Sequence, residues 1–150
     1  MKKILELNYT LEGQGWAILE IDNGEMKIEI CVSYFHDSLK NLAESAIELH
    51  TKNEKSVVFM DEPGEHQLLL KKNANNEIDY FIKWYKDWAS WHLINEENYE
   101  IVLSGTTTLP KYINQVRRCL IKILDEYGEI GYKEKWGKHE FPMIAFEKLI

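Results

Sequence analysis

Residues 15–35, GWAILEIDNGEMKIEICVSYF, alternate apolar and polar side chains on both sides of an Asn-Gly pair. That pattern constrains the fold more than any other stretch of the chain. A period of two fits a pleated strand, and Asn23-Gly24 readily adopts the positive φ of a hairpin turn. In the second arm Met26, Ile28, Ile30, Val32 and Tyr34 fall on one face, with Lys27, Glu29, Cys31 and Ser33 on the other. One face therefore meets a core and the other meets water. The glycines of LEGQGW turn an earlier strand, residues 3–10, into this hairpin.

The period then changes. In HDSLKNLAESAIELH, residues 36–50, Leu39, Leu42, Ala43, Ala46, Ile47 and Leu49 form one stripe of an amphipathic helix, which Asp37 or Ser38 caps. Residues 55–61 and 65–72 return to strand patterns around Pro63-Gly64, a pair suited to a tight turn. NNEIDYFIKWYKDWASWHLI, residues 75–94, fits both periods. Its β-branched and aromatic first half favours a strand over 77–85, followed by an irregular aromatic segment through Leu93. Residues 98–104 alternate again. The clearest helix is TLPKYINQVRRCLIKILDEYG, residues 108–128, with Thr108 as N-cap, Pro110 in the first turn and Gly128 as the stop. A loop and a short helix from about Pro142 close the chain. Strands joined by short turns pair antiparallel, and two helices cover one face. The expected fold is a single α+β domain over residues 1–150: one antiparallel sheet of about six to seven strands, two main amphipathic helices, two layers.

Composition narrows the function. The net charge is −7, and residues 109–150 carry 8 Lys and Arg against 6 Asp and Glu. That leaves 10 against 19, a net of −9, for residues 1–108. Such acidity argues against nucleic acid, whose phosphates require accumulated cations, and fits a basic partner steered electrostatically. The aromatic, Lys-rich stretch YKEKWGKHEFP, residues 132–142, therefore reads as a loop pinned by Tyr132, Trp136 and Phe141, not as a base-stacking platform. Cys31 and Cys119 lack metal-like spacing and read as buried thiols. No apolar run suits a membrane span, and Glu6 and Asn8 interrupt any leader-like run, so a cytoplasmic location is expected.

The chain carries no Gly-rich phosphate loop, nucleophile elbow, paired-cysteine metal site or helical zinc-binding histidine pair. No cofactor or metal is expected. In FMDEPGEHQL, residues 59–68, Asp61, Glu62, Glu65 and His66 crowd a turn, where carboxylates are exposed as a matter of course. The stronger candidates are Trp84, Trp88 and Trp91, which with Tyr80 and Tyr85 form more aromatic surface than a domain of this size hides. Glu62 and Glu65 would serve as charges at the rim of that patch. The alternative is a pocket between sheet and helices holding His36, Asp37 and His66, supported by Tyr34.

SYFHDSLKNLAESAIEL, DEPGEHQLLL and YGEIGYKEKWGKHEFP together resemble segments of small, functionally uncharacterised bacterial proteins of similar length, a likeness that implies no activity. In size, acidity and single α+β domain the chain is also similar to immunity proteins of bacterial toxin systems, whose partners are often basic nucleases. The expectation is a non-enzymatic binding protein with a basic protein partner. A small-ligand binder or enzyme is the alternative, and a homodimer paired through the aromatic patch is a third possibility.

Overall fold

The alternating arms pair as their pattern demands. The computed structural model describes residues 4–61 and 63–150. Strands β1 (Glu6–Glu12), β2 (Trp16–Asp22) and β3 (Lys27–Ser33) form an antiparallel meander. Its register places Leu19 between Tyr9 and Ile30, and Ala17 between Leu11 and Val32, all buried on one face. Each such burial of a Leu or Ile contributes roughly 1.5–3 kcal/mol. The hairpin loop is longer than a two-residue turn. Asn23 Oδ1 accepts from the backbone N–H of Glu25 and Met26, closing residues 23–26.

Helix α1 (Ser38–Glu48) leads to the second antiparallel sheet: β4 (Glu54–Met60), β5 (Glu65–Lys72), β6 (Ile78–Tyr85) and β7 (Glu100–Thr107). Helices α2 (Leu109–Trp136) and α3 (Met143–Leu149) complete the chain. The α+β class is as expected, but the single sheet is not. Among the described residues seven strands divide into sheets of three and four, accompanied by three α-helices. The division falls where a helix, and not a hairpin, joins consecutive strands. β3 lies beside β4 without pairing to it. Val58 O accepts from Ser38 Oγ at 2.8 Å, so α1 supplies a donor to this strand's carbonyl.

The helices cover one side. Leu39, Leu42, Ala43 and Ala46 of α1 are buried, as are Tyr112, Val116, Leu120 and Ile123 of α2. Tyr112 Oη and Ser45 Oγ join the two helices at 2.7 Å. α2 also protects the outer strand, because Gln115 Oε1 accepts from Leu7 N at 3.0 Å. An edge strand satisfied in this way is a poor template for another chain. Among the described residues no helix is long and apolar enough to cross a membrane.

Three local expectations change. Asp37 stands at the N-cap position of α1 but its side chain makes no capping hydrogen bond. Thr108 does cap α2, accepting from Lys111 N at 3.3 Å. Gly128 kinks α2 at φ 69°, ψ 179° without ending it, and helix resumes to Trp136. That conformation is essentially reserved for glycine. Cys31, expected to be buried, is exposed, because the outer face of the meander is uncovered; Cys119 is buried as expected.

Candidate functional site

Loop 34–37, between β3 and α1, organises one end of the molecule. Its backbone is held by the β1–β2 turn, which is itself bound to the C-terminal end of α2. Tyr34 N donates to Gly15 O at 3.1 Å, and Gly15 N donates to Lys135 O at 2.9 Å. From this spine Tyr34 and Phe35 extend toward the aromatic segment after β6, His36 reaches the same segment, and Asp37 turns toward His139.

The aromatic segment is a strap folded back across the β4–β5 hairpin. Trp88 Nε1 donates to Asp61 O at 2.7 Å, and Tyr85 Oη donates to Glu96 O at 2.7 Å. A single 3-10 turn, Ala89–Trp91, ends at His92 with φ 61°. Ser90 lies in that turn and makes the central anchor. Its N–H and Oγ–H both donate to Glu65 Oε1, at 3.2 and 2.6 Å, while Gln67 Nε2 donates to Glu65 Oε2 at 2.6 Å. Glu65 is 0% exposed. The residue expected as a solvated rim charge is instead a buried carboxylate with three donors directed at it, which is how a buried acceptor-only group is tolerated. Its carbon neighbours on that face, Met60 and Tyr85, are buried with it.

Ser90 Oγ also lies 3.2 Å from His36 Nε2. Because the serine proton goes to Glu65, the imidazole is the donor in this contact. Burial holds the His36 pKa below the ordinary histidine value, partly offset by the charge of Glu65.

Four rings form a continuous group on this strap and spine. Tyr34 stacks on Phe35 at 5.1 Å, Phe35 meets Trp88 and Trp91 at 5.5 Å each, and the two tryptophans meet edge to face at 4.9 Å. The group is not fully covered: Trp91 is 45% exposed, Tyr34 39%, and the adjoining Leu93 58%. Trp84 stands apart from it. Its side chain is half-buried beside His66 across β5–β6, close to the Gly64 backbone. Glu62 lies outside the described residues.

The residues of the alternative pocket do not converge. His66 is largely buried, its Nδ1 has no hydrogen-bond partner among the described residues, and burial lowers its pKa. Asp37 faces the other way, into a cavity of about 740 Å³ between α1 and residues 138–148; His36 and His66 are not among its lining residues. There His139 Nε2 lies 2.9 Å from Tyr34 O and its Nδ1 lies 3.7 Å from Asp37 Oδ2. Burial raises the Asp37 pKa, against the opposing influence of His139 and Lys40. Below it Tyr132 and Trp136 are buried, as expected of these rings, but they sit on helix α2 and not on the loop expected over 132–142.

Phe35 and Ser90 were not singled out by sequence reasoning. Phe35 adjoins the flagged Tyr34-His36-Asp37 group and was within reach, but a lone serine in an aromatic segment carries no periodic signal. Comparison with protein-family models, with curated proteins and with solved structures returned no significant match.

Proposed function

We propose that this chain is a protein-binding module whose aromatic end docks a basic partner. One observation carries the reading: Tyr34, Phe35, Trp88 and Trp91 form a contiguous ring group that stays partly exposed, although it sits on a strap pinned by a buried carboxylate. Rigid, half-exposed aromatics suit an interface, because they bury much area at little conformational cost, and Trp and Tyr dominate binding hot spots. The net charge of −9 over residues 1–108, with Asp87, Glu96 and Glu97 on the strap itself, argues for a basic partner. Opposite charge would raise the association rate more than the final affinity. In its specific form, the chain is the acidic immunity protein of a basic toxin.

The test is cross-linking of the purified chain in extract of its native host, followed by identification of the partner and a binding titration against it. A basic protein bound by wild type, released by salt and lost on Trp91→Ala supports the reading. Sedimentation at two concentrations distinguishes a second copy: self-association abolished by Trp91→Ala would replace the basic partner with a homodimer. A partner bound equally well by Trp88→Ala and Trp91→Ala would refute the site.

A further inference from the structure

The outer face of the four-stranded sheet divides in two along its strands. Register sets Met60, Glu65 and Tyr85 in one row, and all three are buried where the strap crosses. The next two rows stay partly open to water. They run Val58–Gln67–Lys83–Ile101 and Ser56–Leu69–Phe81–Ser104. By the alternation of the strands they face away from the buried core row Val57–Leu68–Ile82–Leu103. Leu69 and Phe81 are cross-strand partners, and Val58 and Ile101 flank them on the outer strands. The first three are half-buried and Ile101 is 48% exposed.

Charge decides what such a face can meet. Its charged side chains are Lys83 and, one row further, Glu54, Lys71 and Asp79, two of each sign. Each is matched within the chain. Lys71 Nζ lies 3.5 Å from Glu54, and Lys83 Nζ sits 4.5 Å from the centre of the Tyr99 ring. Asp79 Oδ1 accepts from Thr106 Oγ1 and Asn73 Nδ2. The outer face of the meander is the opposite case. It sets Glu6, Glu12, Glu20, Asp22 and Glu29 against Lys27, five negative to one positive, with Glu20 directly opposite Glu29. Of the two faces, only the neutral one tolerates another chain of net charge −7. Pairing edge to edge is obstructed, because Asn23 Nδ2 donates to Ser104 O on β7 at 2.8 Å and Gln115 occupies Leu7 N on β1.

We propose that this face packs on the same face of a second copy, giving a weak, two-fold symmetric sheet-to-sheet dimer. Leu69 and Phe81 form its centre, and the matched charges of the Glu54 row lie at its margin. Three rows on four strands give about 400 Å² of flat sheet per copy, roughly half of what each partner supplies to a standard interface. The dissociation constant should therefore lie above about 1 µM.

Sedimentation equilibrium of the full chain from about 10 µM to 1 mM brackets an interface of that size. The weight-average mass should climb toward twice the monomer's. It should climb further when salt is raised from about 50 to 500 mM, which screens repulsion between the two acidic chains. The same salt would release a basic partner, so the two kinds of association are distinguishable, and absence of a basic partner would leave the dimer intact. Phe81→Glu should weaken pairing at least about tenfold, because it opposes like charges in an apolar centre. Ile101→Glu, at a residue already exposed, provides a second variant should Phe81→Glu unfold. Trp91→Ala should self-associate like wild type, and concentration-dependent amide shifts should fall on residues 56–58, 67–71, 79–83 and 101–104. A chain still monomeric at about 1 mM, pairing weakened by salt, or pairing lost in Trp91→Ala but kept in Ile101→Glu would overturn the assignment.

Discussion

Ser90→Ala is the most direct probe of how the strap is held. The substitution removes the 2.6 Å hydroxyl bond to Glu65 and the 3.2 Å contact with His36, and leaves the Ser90 N–H and Gln67 bonds in place. A hydrogen bond to a charged group contributes about 1.5–3 kcal/mol, and Glu65 has no solvent to compensate for the loss, so the cost should be about 2 kcal/mol. For a chain of this length that corresponds to a drop of roughly 4–8 °C in Tm. The loss should also be local first. If the strap opens as its own unit, amides of residues 86–93 should exchange roughly 30-fold faster, the factor equivalent to 2 kcal/mol. Urea unfolding in a Trp16→Phe, Trp84→Phe, Trp136→Phe background gives a second readout, since Trp88 and Trp91 then report the strap while far-UV circular dichroism reports the sheets and helices. In the variant the fluorescence change should precede the circular-dichroism change. An unchanged Tm together with unchanged exchange over 86–93 would refute the claim that the Glu65–Ser90 anchor holds the aromatic group in place.

Other expectations follow from the same geometry. Gly105→Ala should destabilise by about 1–3 kcal/mol, the usual cost of overpacking, because the added methyl would overlap the Tyr80 hydroxyl, which is itself tethered to Ile4 O at 2.7 Å; urea titration measures it. Gly128→Ala should also cost about 1–3 kcal/mol, since no L side chain sits comfortably at φ 69°, ψ 179°; an unchanged urea midpoint would count against the kink. The fold should weaken as pH falls below about 6.5, the ordinary histidine value, because burial lowers the pKa of His66 and His36, and the unfolded chain then binds protons that the folded chain refuses. The stability these groups contribute is present above that pH and is lost on acidification toward their folded values. His66→Gln should flatten the dependence of Tm on pH between neutral and mildly acidic conditions, and an unaltered slope would exclude His66 as a contributor. Tyr112→Phe should cost only about 0.5–1.5 kcal/mol, because Ser45 Oγ keeps its own bond to Leu42 O at 2.6 Å, and a double-mutant cycle with Ser45→Ala should return coupling of similar size.

Local rules were enough to find most elements. The alternation of residues 16–33 located β2, β3 and their buried rows, because period two alone decides which side chains share a face. Pro63-Gly64 marked the β4–β5 hairpin, and Thr108 with Pro110 marked the start of α2, because each acts through its own backbone. Gly128 was read as a stop. It is a kink, since Tyr132 and Trp136 beyond it gain burial by continuing as helix. One rule failed for a reason of distance. Counting strands could not reveal that β3 and β4 remain unpaired, because that depends on where α1 sits and on Ser38 reaching Val58 O.

The sequence by itself determined most of the strands and helices and the apolar face of each, since those follow from neighbours a few residues apart. Tertiary structure alone decided what the polar side chains do. Glu65 read as a wet turn residue until the strap, 25 positions later, brought Ser90 over it. Asp37 read as a helix cap until His139 arrived from the far end of the chain. A carboxylate's role is set by the donors, acceptors and water around it, and those are supplied by contacts that no local periodicity encodes.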